Sequence, residues 1–166
     1  MHPDSLILMN LFKSKYLSEF EGATILDVGS IDINGTYREI FTGFEYTGMD
    51  IVPGDNVDIV GYENLSVYDV LISGQVMEHV KHPWDWLKSL KQYFQYFICI
   101  ISPNTSSEHR HPIDCYRFFP DGMEALFEYA DIEIVEIYKF NRDTVGIGYK
   151  PENFDKHGRR LPMKGL

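Results

Sequence analysis

Two short polar stretches hold most of the side chains able to move a proton or bind a cation. The first is Gln75-Val-Met-Glu78-His79-Val80-Lys81-His82; the second, Ser102 to Phe118, contains His109, His111, Asp114, Tyr116 and Arg117. Histidine titrates near neutrality and is a common metal ligand, so either stretch can supply a general base or bind a cation. Two histidines two apart, with an acid three further on, can converge as base and orienting group or as ligands. A plainer reading has Asp114 and Arg117 pair with each other, and His79 fix its own loop by hydrogen bonds. The second stretch is too long and too polar for an ordinary connection, and Pro112 limits its freedom.

A separate set of residues has the look of a binding site. Ala23-Thr-Ile-Leu-Asp27-Val-Gly29-Ser-Ile-Asp-Ile-Asn34-Gly35 is an apolar, β-branched run that ends at an acid and passes two glycines. That predicts a buried strand feeding a sharp turn, where open α/β sheets place ligands. Gly29 can take backbone angles closed to other residues and leaves room for a ligand, and Asn34-Gly35 offers a second tight turn. Phe44-Glu-Tyr-Thr-Gly-Met-Asp50 reads as a second strand ending in an acid, about 20 residues on, placed to accept hydrogen bonds from ribose hydroxyls. The G-x-G-x-x-G fingerprint is missing, because Ile31 stands two after Gly29. A pyrophosphate lacks its cradle, which argues against a nicotinamide or flavin dinucleotide and leaves a nucleoside such as S-adenosylmethionine.

Ile25-Leu-Asp27-Val-Gly29-Ser, Tyr46-Thr-Gly-Met-Asp50 and Tyr68-Asp-Val-Leu-Ile-Ser73-Gly-Gln-Val-Met-Glu78-His79-Val80 resemble the successive motifs of class I S-adenosylmethionine-dependent methyltransferases. His109-Arg-His-Pro-Ile-Asp114-Cys-Tyr-Arg117-Phe-Phe-Pro120-Asp-Gly122 resembles a segment of small members of that superfamily, and the match runs in order over residues 20–148. The resemblance departs at the glycine-rich loop, where Ile31 and Ile33 replace the expected small residues and Gly35 keeps the later glycine. It implies cofactor contacts from Asp27, Gly29, Ser30, Asn34, Gly35, Asp50, Ile51 and Gln75, with Tyr62 or Glu63 at the adenine. It implies His109, His111, His79 and Asp114 as catalytic residues, and Tyr116 and Arg117 facing the acceptor, an aromatic face suiting a sugar ring. Ubiquinone-pathway O-methyltransferases bind a divalent ion through a related E-x-x-E-H pattern. Gln75 occupies its first position here, so only Glu78 and His79 carry over as metal ligands.

These residues need a scaffold, and the hydrophobic pattern outlines one. A helix is expected over 4–19 with Asp4 or Ser5 as its cap, then strand 24–28, helix 35–41, and strands 46–50 and 57–60. Tyr68 to Ser73 is a continuous apolar run suited to the middle of a parallel sheet. Helix 83–94, strand 96–101, helix 120–129, strand 132–138 and an antiparallel strand 144–149 complete the pattern. The expected fold is a Rossmann-like α/β class I methyltransferase domain: a seven-stranded, mostly parallel sheet with one antiparallel strand and helices on both faces. Residues 1–150 form that domain, with the leading helix within 1–22, and 151–166 form a loosely attached tail.

At 166 residues with 44% hydrophobic content, the chain suits one packed domain. A net charge of −10 opposes binding to nucleic acid or anionic membrane. Cys99 and Cys115 have no metal-finger spacing and read as free thiols in a reducing compartment. The expectation is a soluble cytoplasmic protein, or one of the host cytoplasm if the gene is viral. The expected reaction is methyl transfer to a hydroxyl of a small molecule or glycan. The alternatives are N- or carboxyl-methylation of a metabolite or protein, and cofactor binding without catalysis. Oligomeric state has no sequence signal.

Overall fold

The computed structural model describes residues 3–161. Seven strands form one sheet: β1 (Thr24–Val28), β2 (Glu45–Asp50), β3 (Ile59–Val60), β4 (Tyr68–Gly74), β5 (Phe94–Pro103), β6 (Glu133–Phe140) and β7 (Asp143–Tyr149). Their order is β3-β2-β1-β4-β5-β7-β6, with β7 antiparallel to both neighbours and the other pairs parallel. The chain winds outward from β1 to β3, then returns to start again at β4. The carboxyl ends of β1 and β4 therefore flank the crevice where the strand order reverses.

Alternation along each strand splits the core in two. Ile25, Val70, Ile72, Cys99, Ile101, Val145 and Ile147 face α1 (Pro3–Tyr16), which buries Leu8, Met9 and Phe12 against them. Leu26, Leu71, Ile98 and Ile100 face α2 (Pro83–Leu90) and α3 (Pro120–Tyr129), which contribute Leu87, Leu90, Met123 and Phe127. Pro at the first turn of α2 and α3 fits a position whose N–H has no helical partner.

Several boundaries differ from the sequence expectation. The helix expected over 35–41 does not form. Tyr37 to Phe44 is a chain of tight turns, with Ile40 N–H on the Tyr37 carbonyl (2.8 Å) and Phe44 N–H on that of Phe41 (3.1 Å). Seven residues are too few for a self-supporting helix, and the turns suffice to bury Tyr37 and Phe41. Asp4 and Ser5 lie inside α1 and do not cap it; Ser5 is buried and hydrogen-bonded to the Tyr37 hydroxyl. The residue preceding Pro3 lies outside the described residues, and α1 ends at Tyr16, short of 19. β3 is reduced to two residues because Val57 closes a turn onto the Gly54 carbonyl. α2 stops at Leu90, a 3-10 turn covers Lys91–Tyr93, and Phe94 already belongs to β5.

Residues 151–161 are docked, where a loosely attached tail was expected over 151–166. The Phe154 ring packs on Tyr96, Phe97 and Tyr149, and the Arg160 guanidinium lies 4.4 Å from the Phe20 ring centroid. The Tyr96 hydroxyl donates to the Leu161 carbonyl. Among the described residues, no helix is long and apolar enough to cross a membrane.

Candidate active site

A cleft of about 1040 Å³ opens over the carboxyl ends of β1, β2 and β4. On one side, β1 ends in the turn at Gly29, whose φ of 82° favours glycine. A side chain there would collide with Val76, because a Cβ would lie 2.2 Å from Val76 Cγ2. Gly29 and Ser30 N–H both donate to the Met49 carbonyl, tying the turn to the end of β2. A second turn follows, closed by Gly35 N–H on Asp32 Oδ1 (2.7 Å), and it brings Asn34 and Gly35 to the cleft.

Asp50 ends β2 and lines the cleft. Its Oδ1 accepts from Ile51 N–H (2.7 Å) and its Oδ2 from Ile31 N–H (3.3 Å), so the backbone fixes the carboxylate in place. Ile51 and Val52 stand exposed beside it, giving the mouth an apolar rim. Tyr62 lines the same end, its hydroxyl accepting from Trp86 Nε1 (2.9 Å), and burial raises its pKa. Glu63 lies outside the lining.

Asp27 and Ser30 do not reach the cleft. Asp27 is sealed under the Tyr46 hydroxyl, which donates to Oδ2, while Oδ1 has no hydrogen bond. Burial pushes its carboxyl up to about 7, against the Tyr46 bond and with help from the Asp50 charge. Ser30 donates to the Asn56 carbonyl (3.0 Å) and accepts from the Asn56 amide at its own carbonyl (2.7 Å). Both residues shape the turn from behind.

The opposite wall comes from the two polar stretches. Gln75 turns the chain after β4 at φ 62°, an uncommon angle for a residue with a side chain. Its amide donates to Asp143 Oδ1 (2.9 Å) and its N–H to the Ile101 carbonyl (2.8 Å). The 3-10 turn Met77–His79 then carries Glu78 into the interior, fully buried, where Oε2 accepts from the Ser102 hydroxyl (2.9 Å). Burial raises the Glu78 carboxyl to about 7.

The long loop folds back on this turn. Cys115 and Tyr116 N–H donate to the Glu78 carbonyl, and His79 Nδ1–H donates to the Ile113 carbonyl. His79 thus braces the second loop and not its own. His79 and His109 rings meet edge to face at 5.0 Å, and His111 stands 6.2 Å from His79. All three histidines line the cleft; Asp114, Tyr116 and Arg117 do not. Arg117 grips Asp114 with two bonds (2.5 and 2.7 Å), holding that carboxyl well below its usual range, while Asp114 Oδ2 also accepts from His109 N–H. Tyr116 donates to the Lys81 carbonyl (3.0 Å). The plainer reading of Asp114 and Arg117 describes what they do: they fasten the loop that presents His109.

The sequence reading gives no role to Val76, Trp86, Arg110 or Arg142, all of which line the cleft. Trp86, near the start of an amphipathic helix beside an expected adenine contact, was detectable. Arg142 arrives from the β6–β7 turn, and only the sheet order brings it here.

An order of 3-2-1-4-5-7-6 with β7 antiparallel defines the class I methyltransferase fold, and the chain has it. No family model matches the sequence, and comparison with curated proteins returns no match. Solved structures do match. The chain is similar to a SAM-dependent methyltransferase from Aquifex aeolicus, with 16% identity over 90% of this chain and 98% of that one at a TM-score of 0.60. It is also similar to the 1,6-didemethyltoxoflavin-N1-methyltransferase of Burkholderia thailandensis, with 14% identity over 88% and 78% at 0.69; that structure has 1,6-didemethyltoxoflavin and S-adenosylhomocysteine bound. A third is the N-terminal domain of EvdMO1 in the presence of SAH and D-fucose, with 17% identity over 89% and 83% at 0.58.

Proposed function

We propose that this protein transfers a methyl group from S-adenosylmethionine to a hydroxyl of a small molecule, with sugars as the best-suited acceptor class. The observation that carries this reading is a single cleft lined at one end by Asp50 and at the other by His79, His109 and His111. A carboxylate at the tip of β2 suits ribose hydroxyls. The turn at Gly29 lies on the cleft wall, closed from behind by Val76, and Tyr62 with Trp86 offers an apolar wall for a purine. The volume suits a nucleoside cofactor together with a small acceptor. The neighbour crystallised in the presence of D-fucose supports the sugar reading.

The cofactor supplies an electrophilic methyl group whose bonding pair stays on sulfur as the acceptor oxygen takes the carbon. The chain must align that oxygen and remove its proton. His111 is the proton acceptor we assign. It is exposed on the cleft, touches His79 by its ring edge, and makes no hydrogen bond among the described residues. His109 is more firmly held, by Asp114, Ser107 and the neighbourhood of Glu78. Labelled S-adenosylmethionine offered with a panel of sugars, phenols, amines and carboxylic acids tests the reading. Label is expected on hydroxylated acceptors; label confined to amines or carboxylates would overturn the hydroxyl assignment.

A further inference from the structure

Glu78 Oε1 is buried and accepts no hydrogen bond, although Oε2 of the same carboxylate is paired with Ser102. Leaving a buried carboxylate oxygen unmatched is costly, so its surroundings call for a positive partner. The nearest groups are His79 Nε2 and His109 Nε2, each 3.6 Å away, too far for a hydrogen bond. The other nitrogen of each ring faces a backbone carbonyl: His79 Nδ1 that of Ile113, and His109 Nδ1 that of Ser107 (3.2 Å). A carbonyl only accepts, so the His79 ring proton sits on Nδ1 and its Nε2 turns a lone pair toward the carboxylate; His109 Nδ1 also lies 3.5 Å from the Arg117 guanidinium, and its Nε2 is the ring atom turned to Glu78. Three electron-pair donors thus converge within 4.8 Å of one another.

We propose that Glu78 Oε1, His79 Nε2 and His109 Nε2 form a binding site for a divalent cation of the zinc class. Metal–ligand bonds of about 2.0–2.2 Å at tetrahedral angles set neighbouring ligand atoms roughly 3.3–3.6 Å apart. The two separations of 3.6 Å from Glu78 Oε1 fall at that spacing. Two imidazoles and one carboxylate form a donor set that zinc accepts, whereas magnesium and calcium prefer oxygen throughout. The carbonyls of Ile113 and Ser107 and the hydroxyl of Ser102 orient the three ligands, as outer partners do in metal sites. Gln75 takes no part, since its amide is committed to Asp143, and the third ligand comes from the other loop.

His79 and His109 both line the cleft, so the remaining coordination position opens toward the acceptor. A cation there makes the proton of an adjacent hydroxyl easier to remove, which deepens the methyl-transfer reading. The site rests on that reading only for its role in the reaction and not for its existence.

The test is calorimetric titration of zinc chloride, without cofactor, into the metal-stripped full chain. One equivalent is expected to bind. His109→Ala and Glu78→Gln are each expected to weaken binding at least about tenfold, and His82→Ala, outside the cleft, to leave it unchanged. Nitrogen NMR of the wild-type histidine rings, which needs no variant, should show His79 and His109 responding to zinc. No stoichiometric binding, binding undiminished in both ligand variants, or a response confined to other histidines would overturn the site. A parallel titration with S-adenosylhomocysteine separates the claims. Cofactor binding without zinc binding removes the cation site alone, and zinc binding without cofactor binding removes the methyl-transfer reading alone.

Discussion

Asp27 closes β1 with its carboxylate sealed from solvent, at 2% exposure, beneath the Tyr46 hydroxyl. One strand away, Asp50 closes β2 with its carboxylate fixed by backbone donors and turned to the cleft. The difference in environment raises the Asp27 carboxyl above its ordinary range. Its pKa rises from an ordinary 3.8 to about 7 in the fold, so between those values the native state holds a proton that the unfolded chain has released. Its contribution to stability is complete below about pH 4 and is lost as pH climbs through about 7. Thermal unfolding of the ligand-free protein should therefore show a midpoint that falls from pH 5 to pH 8. Asp27→Asn should flatten that fall, and an identical pH profile in the variant would mean that Asp27 is ionised throughout. At the reacting end, His111→Ala is expected to lower turnover by roughly a hundredfold or more while S-adenosylhomocysteine affinity stays unchanged. Full activity in that variant would move the base elsewhere.

Among the elements, β7 has a composition dictated by the helix packed on it. Gly146 and Gly148 lie under α3, and a Cβ at Gly146 would stand 2.8 Å from Met123 Cγ and from the Phe127 ring. Gly146→Val should cost about 1–3 kcal/mol in denaturant unfolding, by overpacking this contact. A neutral substitution would mean that α3 sits less tightly on the sheet. Elements with strong period or clear punctuation were legible in the sequence: β1, β2, β4 and α3 lie within a residue of expectation because apolar runs meet Gly, Asp or Pro at their ends. The 35–41 helix was not legible as turns, since Tyr37 and Phe41 satisfy helical spacing and only their burial against the sheet decides between the two. The site divides the same way. Asp50 and the histidines declare themselves by type and place, whereas Asp27 and Asp50 look alike in sequence and are told apart only by their surroundings, burial under Tyr46 for one and backbone donors at the cleft for the other. The convergence of His109 on Glu78 spans 31 positions and depends on main-chain bonds from Cys115 and Tyr116 to Glu78, which no local pattern encodes.

At the scale of the molecule, charge and shape point in one direction. The chain carries a net charge of −10, yet the formally charged residues of the cleft are one acid, Asp50, against Lys81, Arg110 and Arg142. Such a field discourages polyanions at large while leaving the cleft itself hospitable to a polar acceptor. The docked segment through Leu161 covers the aromatic face of Tyr96 and Phe97 on the α1 side, away from the cleft. The residues proposed to act in the reaction lie at one edge of the sheet, and the central claim of the methyl-transfer reading is that this edge holds S-adenosylmethionine. Calorimetric titration with S-adenosylhomocysteine tests it most directly. The account predicts one equivalent bound by the wild type and an affinity lower by roughly ten- to a hundredfold in Asp50→Ala, the loss of about 1.5–3 kcal/mol for hydrogen bonds to a carboxylate. Binding of NAD with no heat from S-adenosylhomocysteine would contradict it.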